Sequence, residues 1–224
     1  MHVGRIMRKD LVTVTPDTSL VKAKDIIAEK LIEHLLVIDK GNKLVGIVSD
    51  RDIKQAWASP ATALSAHELN YLLKQLTVET IMAKKIITIN PGTTIERAGH
   101  IMQENRISSL PVMENEKLVG IITTTDVMDV LLEAIGIDGE STRFVVLVED
   151  RIGMIAEVSR ILKEEQINIR SLVTWPEKQY PGIYHFVLRV GAANGERAIS
   201  ALTKAGFKVL TEYVEDLSPY LPSR

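Results

Sequence analysis

The sequence predicts a mixed α+β (α/β) chain: two β-α-β-β-α units in tandem, followed by a ferredoxin-like βαββαβ domain. The first support is a repeat. Val3, Ile6, Met7, Lys9, Thr13, Pro16, Thr18, Ala23, Ile26, Glu29, Ile32, Leu35 and Val37 recur 75 positions later, as Val78, Ile81, Met82, Lys84, Thr88, Pro91, Thr93, Ala98, Ile101, Glu104, Ile107, Leu110 and Val112. That period is too long for a multi-repeat solenoid and suits a paired module. The second support is a motif found once in each copy, offset by a single-residue slip: Gly46-Ile47-Val48-Ser49-Asp50-Arg51-Asp52 and Gly120-Ile121-Ile122-Thr123-Thr124-Thr125-Asp126. The third is a change of pattern beyond residue 142, where the order of apolar runs becomes strand, helix, strand, strand, helix, strand.

In each unit a short extended stretch, over 11–15 and 86–90, ends at a proline, which has no amide hydrogen to give a sheet. A helix follows. Leu20, Ala23 and Ile27 in the first copy, and Ile95, Ala98 and Met102 in the second, fall at i, i+3, i+7 on one face. Thr93 and Glu96 have the spacing of a capping box at its start. Next come two apolar strands, 35–38 with 44–48 and 110–113 with 118–122, joined by turns rich in Lys, Asn, Gly and Glu. A second helix begins after the hydroxyl and Asp of the repeated motif. Between the copies, Ser65-Ala66-His67-Glu68 is a capping box ahead of Leu69, Leu72, Leu73 and Leu76, with Trp57 and Tyr71 alongside. This helix either packs on the module or serves as a lid or dimer contact.

The expected boundaries are 1–58 for the first unit, 59–76 for the connector and 77–135 for the second unit. A Gly-rich polar linker takes 136–142, the last domain 143–216 and a tail 217–224. In that last domain the unbroken run Phe144-Val145-Val146-Leu147-Val148 reads as a strand buried on both faces. A helix with Ile155, Val158 and Leu162 on one face comes next, then a strand near Ile167. Another strand over 183–190 sets Tyr184, Phe186, Leu188 and Val190 against His185 and Arg189. A helix with Ile199 and Leu202 and a strand over 207–213 complete the order.

The Gly-h-h-Ser/Thr-x-x-Asp signature, twice in matching context within β-α-β-β-α units, resembles the CBS domain. The resemblance implies a pseudo-symmetric pair with two clefts that take adenosine compounds such as AMP, ADP, ATP or S-adenosylmethionine. It implies that Ser49 and Thr123, following Gly46 and Gly120, touch phosphate or ribose. It implies that Asp52 and Asp126 accept from ribose hydroxyls, and that Thr13, Val14, Thr88 and Ile89 lie beside the base. A helix N-terminus offers free amide hydrogens to a phosphate, and a carboxylate suits a ribose diol. The same Ser/Thr-x-x-Asp spacing is also that of a capping box. Ser108-Ser109-Leu110-Pro111 follows the family pattern, whereas the first copy has Glu33-His34-Leu35-Leu36, with Leu36 in place of the proline. Ser109 and Pro111 therefore make the second motif the expected better ligand site.

Asp150-Arg151-Ile152-Gly153 at the first strand-helix turn, with Asn168-Ile169 opening the next strand, is similar to the ACT domain, a regulatory fold that commonly binds amino acids between paired copies. The residues so implied are Asp150, Ile152, Gly153, Met154 and Asn168. Read on its own, Gly153 serves a tight turn equally well. One such domain per chain implies a homodimer. Two CBS units and one ACT domain together resemble the acetoin-utilisation accessory proteins over nearly the whole chain, although no residue indicates acetoin.

Composition closes several classes. Basic and acidic residues nearly balance, 27 against 29, so no general attraction to nucleic acid or anionic membrane is expected. No recognition helix with clustered Arg or Lys is visible. With no cysteine, thiolate chemistry and Cys-ligated metal are excluded. His2, His34, His67, His100 and His185 lack metal-ligand spacing, so no metal and no cofactor are expected. Asp50 and Asp52 are the charges of a helix start, and neither a Walker-type loop nor Gly-x-Gly-x-x-Gly occurs. The first ten residues carry charges where an export leader needs an apolar core, and no apolar run approaches a membrane span. The expectation is a cytoplasmic, non-enzymatic regulator. It either senses an adenosine nucleotide and a small metabolite, or acts with empty clefts by contact with a partner enzyme.

Overall fold

The computed structural model describes residues 1–56, 76–137 and 140–222. Of the connector expected over 59–76, all but Leu76 lies outside the described residues, as do Trp57, and Asp138 and Gly139 of the linker. The chain divides into two compact units, Met1–Met128 and Asp129–Arg224.

In the first unit, copy one runs β1 (Thr13–Val14), α1 (Leu20–Lys30), β2 (His34–Ile38), β3 (Leu44–Ser49) and α2 (Asp50–Ala56). Copy two runs α3 (Ile95–Asn105), β4 (Ser109–Glu114), β5 (Lys117–Thr123) and α4 (Thr124–Ile135), the last helix passing the boundary between the units. β1 lies parallel to β2, and β2 is antiparallel to β3. In copy two the extended stretch forms one parallel bridge, Ile89 to Val112, beside the antiparallel β4-β5 pair. The predicted helix faces are the buried ones: Leu20, Ala23 and Ile27 in α1, and Ile95, Ala98 and Met102 in α3. The α3 cap sits one residue later than the sequence suggested. Thr94, in extended geometry, accepts from the Arg97 amide at 3.2 Å, while the Thr93 carbonyl is taken by the Val3 amide at 2.8 Å.

That last bond belongs to a reciprocal exchange between the copies. Amides of Val3 and Gly4 donate to the carbonyls of Thr93 and Pro91, and Arg8 and Ile121 pair through their backbones. Seventy-five residues on, Val78 and Glu79 donate to Thr18 and Pro16, and Ala83 pairs with Ile47. The segment that opens each copy is thus docked on the other copy. It carries a methionine with it: a Cβ at Gly46 would overlap the Met82 side chain, and one at Gly120 would overlap Met7. The two motif glycines are explained by this close approach.

The second unit is β6 (Ser141–Glu149), α5 (Met154–Glu164), β7 (Ile169–Pro176), β8 (Ile183–Gly191), α6 (Gly195–Lys204) and β9 (Val209–Leu210). The sheet order is β7-β8-β6-β9. Phe144, Val146 and Val148 pack with the helices, and Val145 and Leu147 face the other way. The other face is covered by Val214, Leu217, Tyr220 and Leu221 of the C-terminal segment, which accounts for the unbroken apolar run in β6. The α5 face is Met154, Val158, Ile161 and Leu162, and the expected Ile155 is exposed. In α6, Ala198 and Leu202 are buried and Ile199 is only partly so. The last strand, expected over 207–213, shrinks to two residues because the chain leaves the sheet edge to cross its face.

Candidate functional site

Both repeated motifs fold into the same local structure at the β3-α2 and β5-α4 junctions. The Ser49 hydroxyl donates to Asp52 Oδ2 at 2.6 Å, the Ser49 amide donates to the same oxygen at 2.8 Å, and the Asp52 amide donates to Ser49 Oγ at 3.2 Å. Thr123 and Asp126 repeat all three bonds at 2.6, 2.8 and 3.2 Å. This is a capping box with a carboxylate in its second position. It also fixes what the hydroxyls can offer: each has its proton on the Asp, so toward a ligand it has only a lone pair.

The surroundings of the two boxes differ. A cavity of about 640 Å³ is lined by Ser49 and Asp52 together with Ile47, Ala83, Lys85, Ile87, Arg106, Ser108, Ser109 and Pro111, among others. A second, of about 180 Å³, is lined by Thr123 with Arg8, Asp10, Val12, Glu33, His34 and Leu36. Each cavity therefore takes its capping-box hydroxyl from one copy and much of its opposite wall from the other, following the reciprocal docking of the N-terminal segments, and Thr124 and Thr125 of the second motif also reach the larger cavity. Ser109 and Pro111 face the first motif. The expectation that they would serve the second motif is corrected: the family-like wall and the family-like box of copy two belong to different clefts.

The carboxylates differ as well. Asp126 Oδ1 accepts from Arg8 Nε at 3.2 Å and Nη2 at 3.1 Å, so both its oxygens are engaged and its side chain is 11% exposed. At the position equivalent to Arg8 the first cleft has Ala83. Among the described residues nothing donates to Asp52 Oδ1. Arg51, Lys85 and Arg106 also line the larger cavity, and among the described residues none of the three is in an ion pair. Asp50, on the same wall, is paired with Lys54 at 2.5 Å.

Thr13, Val14, Thr88 and Ile89 line neither cavity. Val14 belongs to the apolar core and Ile89 is buried; Val12 and Ile87, two residues upstream of them, reach the cavities instead. Gly46 and Gly120 line neither and serve the methionine contacts described above. Arg8, Lys85 and Arg106 belong to no motif of the sequence. A position-by-position alignment of the two copies would have exposed the first, as an Arg against an Ala.

His34 lines both cavities. Its Nε2 lies 2.8 Å from Ser108 Oγ, and its Nδ1 is buried without a partner. Burial pushes the imidazole below its usual pKa, against the opposing pull of Glu33 and Asp52.

In the second unit Asp150, Gly153 and Met154 line a cavity of about 570 Å³ with Thr174, Tyr184 and Phe186. Gly153 has φ 92° and precedes α5, a conformation that favours glycine. Ile152 is fully exposed and Asn168 lies away from this cavity, at a separate shallow surface beside α5. Among the described residues no group of three or more His, Asp or Glu is placed to hold a metal ion, and no helix is long and apolar enough to cross a membrane.

The CBS-domain model matches residues 3–59 and 78–133, half of the chain, and the ACT-domain model matches 142–207. The chain belongs to the CBS-domain family, with a tandem CBS pair followed by a C-terminal ACT domain. A homoserine O-acetyltransferase of Methanosalsum zhilinae is 36% identical over 126 residues, 56% of this chain and 23% of that protein. The matched part thus spans about a quarter of the length of the curated relatives that head the comparison. A crystal structure of a CBS-domain containing protein from Agrobacterium tumefaciens is 28% identical, covers 58% of this chain and 99% of its own, and has a TM-score of 0.51. A further CBS protein, solved in complex with AMP, is 32% identical over 59% of this chain and 96% of its own, with a TM-score of 0.47. CBS and ACT domains are regulatory modules, and some relatives that share the CBS part are named as enzymes.

Proposed function

We propose that this protein is a non-catalytic regulatory sensor that holds one adenosine nucleotide per chain in the larger cleft of its CBS pair. The observation that carries this reading is the Oδ1 of Asp52, to which nothing among the described residues donates, on the wall of a cavity of about 640 Å³. A ribose hydroxyl has there a carboxylate acceptor held in place by its own capping box. Ile47, Ile86, Ile87 and Ile107 give an apolar surface for a base, and Arg51, Lys85 and Arg106 give cations for phosphate, which favours AMP, ADP or ATP over S-adenosylmethionine. The smaller cleft has Arg8 on the oxygen a ribose would need. The cavity at Asp150, Gly153 and Met154 suits an amino acid or another small metabolite bound where the ACT domains of a homodimer pair. The output is control of a separate metabolic enzyme in the cytoplasm, acetoin utilisation being the pathway suggested by domain order.

Calorimetric titration with AMP tests the reading. One site per chain is expected. Asp52→Asn keeps an acceptor for the cap and loses the charge, so AMP affinity should fall about tenfold or more, the scale of a hydrogen bond to a charged group. Asp126→Asn should change it less than about twofold. A wild-type protein that binds none of AMP, ADP, ATP and S-adenosylmethionine would overturn the sensor reading. It would favour a regulator acting by contact with a partner enzyme, a reading supported by the fact that both capping boxes are complete without a ligand.

A further inference from the structure

Beside the cations of the larger cleft, a neutral hydroxyl with a free proton would give a bound phosphate a further, directional donor. The Ser49 hydroxyl is not one, because its proton lies on Asp52. Ser108, on the same cavity wall, is set differently. Its Oγ is 2.8 Å from His34 Nε2, and the other ring nitrogen, Nδ1, is buried with no partner.

Two proton distributions satisfy that pair. With the proton on Nδ1, Nε2 accepts from Ser108, the hydroxyl proton is used up, and an N–H is orphaned in the interior. With the proton on Nε2, the ring donates to Ser108, the orphan is a lone pair, and the hydroxyl proton is released. Orphaned buried N–H groups are rarer in proteins than under-satisfied acceptors, and leaving a buried donor unpaired costs about 1–3 kcal/mol. A doubly protonated ring would bury a charge, which the low-dielectric site opposes. The second distribution is the one the surroundings allow.

We infer that His34 is a positioning residue. As the Nε2–H tautomer it donates to Ser108 and turns the Ser108 hydroxyl proton into the larger cleft, where it donates to an anionic oxygen of the bound nucleotide. The inference rests on the adenosine-nucleotide reading and sharpens it. His34 and Ser108 select for the phosphate, whereas Asp52 selects for the ribose.

The test compares AMP with adenosine on the full chain. Ser108→Ala and His34→Leu should each weaken AMP about tenfold, the scale of one hydrogen bond to a charged group, and leave adenosine within about twofold. His34→Gln, which keeps an N–H near the Nε2 position, should restore most of the AMP preference. Nitrogen-15 NMR of the imidazole near neutral pH should show a protonated Nε2 and an unprotonated Nδ1. A purely structural His34 would move neither the AMP-to-adenosine ratio nor the effect of Ser108→Ala. The reverse tautomer overturns the inference, as does an equal loss of AMP and adenosine in Ser108→Ala with an unchanged thermal midpoint. If wild type binds neither ligand, the nucleotide reading falls and takes the Ser108 role with it. If both bind and the ratio is unmoved in Ser108→Ala, only the His34–Ser108 role falls.

Discussion

The two clefts of the CBS pair are built on capping boxes with the same three bond lengths, yet one cavity has about 640 Å³ and the other about 180 Å³. The motif is not what separates them. Each box uses one carboxylate oxygen in its cap. The other oxygen of Asp126 accepts from Arg8, in the segment docked from the other copy, whereas the matching position for Asp52 is Ala83 and nothing among the described residues donates to Asp52 Oδ1. A duplicated module can therefore keep both motifs and still give their second carboxylate oxygens different surroundings, through residues outside the motif.

Exchanging that residue gives the largest expected effect. Ala83→Arg would set a guanidinium against Asp52 and fill the cavity beside it. AMP affinity should fall about a hundredfold, combining the lost charged hydrogen bond with lost volume. Titration that finds wild-type affinity in this variant would show that the outward oxygen is not where ribose binds. The converse, Arg8→Ala, should add a second AMP site per chain, about tenfold weaker than the first. The Arg8 side chain is 53% exposed, and such an ion pair contributes about 0–1 kcal/mol, so its removal should leave the thermal midpoint nearly unchanged. Stoichiometry that stays at one would mean that cavity size, not Arg8, closes the smaller cleft.

A third, smaller effect tests the docking that creates the asymmetry. Gly46→Ala would force a Cβ into the Met82 side chain, and Gly120→Ala into Met7. Overpacking of this kind costs about 1–3 kcal/mol. Urea unfolding should show that loss in each single variant and a partial recovery when Met82→Ala accompanies Gly46→Ala, the methionine giving up the space. Additive losses in the double variant would mean that the two residues do not meet.

The repeat, the order of elements and most helix faces were legible in the sequence because they rest on local periodicity. Leu20, Ala23 and Ile27 could face only one way once α1 formed, and the β6 run from Phe144 to Val148 could only be buried on both faces. The agent of that burial on the outer face, Val214 to Leu221, could not be read, since those residues have no periodicity and act only where the chain turns back. Ile155 was misassigned because a start at Met154 fits the 3.6-residue period equally well, and only the packing chooses. The site was legible as a motif and illegible as a cleft. Ser109 and Pro111 lie near Thr123 in sequence and across β4-β5 from it, yet they line the cavity of Ser49, because the walls are exchanged between copies. Copy-internal reasoning pairs each motif with the wall of its own copy, and the exchange of walls is a long-range fact that no local spacing carries.

The smallest effect also divides the copies, because His34 in the first has Ser109 as its counterpart in the second, a residue that does not titrate. Burial lowers the His34 pKa in the folded chain, so on acidification the unfolded chain takes up this proton first. The stability tied to His34 is therefore fully present above the unfolded value near 6.5 and is lost as pH falls through the lower folded value. Urea unfolding across that window should show wild type losing more stability than His34→Gln, with the two curves parallel above it; parallel curves throughout would mean that His34 titrates alike in both states. Saturating AMP should shrink the loss. A phosphate in the cavity that His34 lines favours the protonated ring, and imidazolium still donates from Nε2, so Ser108 keeps its orientation. Acid should then weaken the empty protein more than the loaded one, and the difference should vanish in the Ala83→Arg variant, where the cleft that carries His34 and Asp52 is filled.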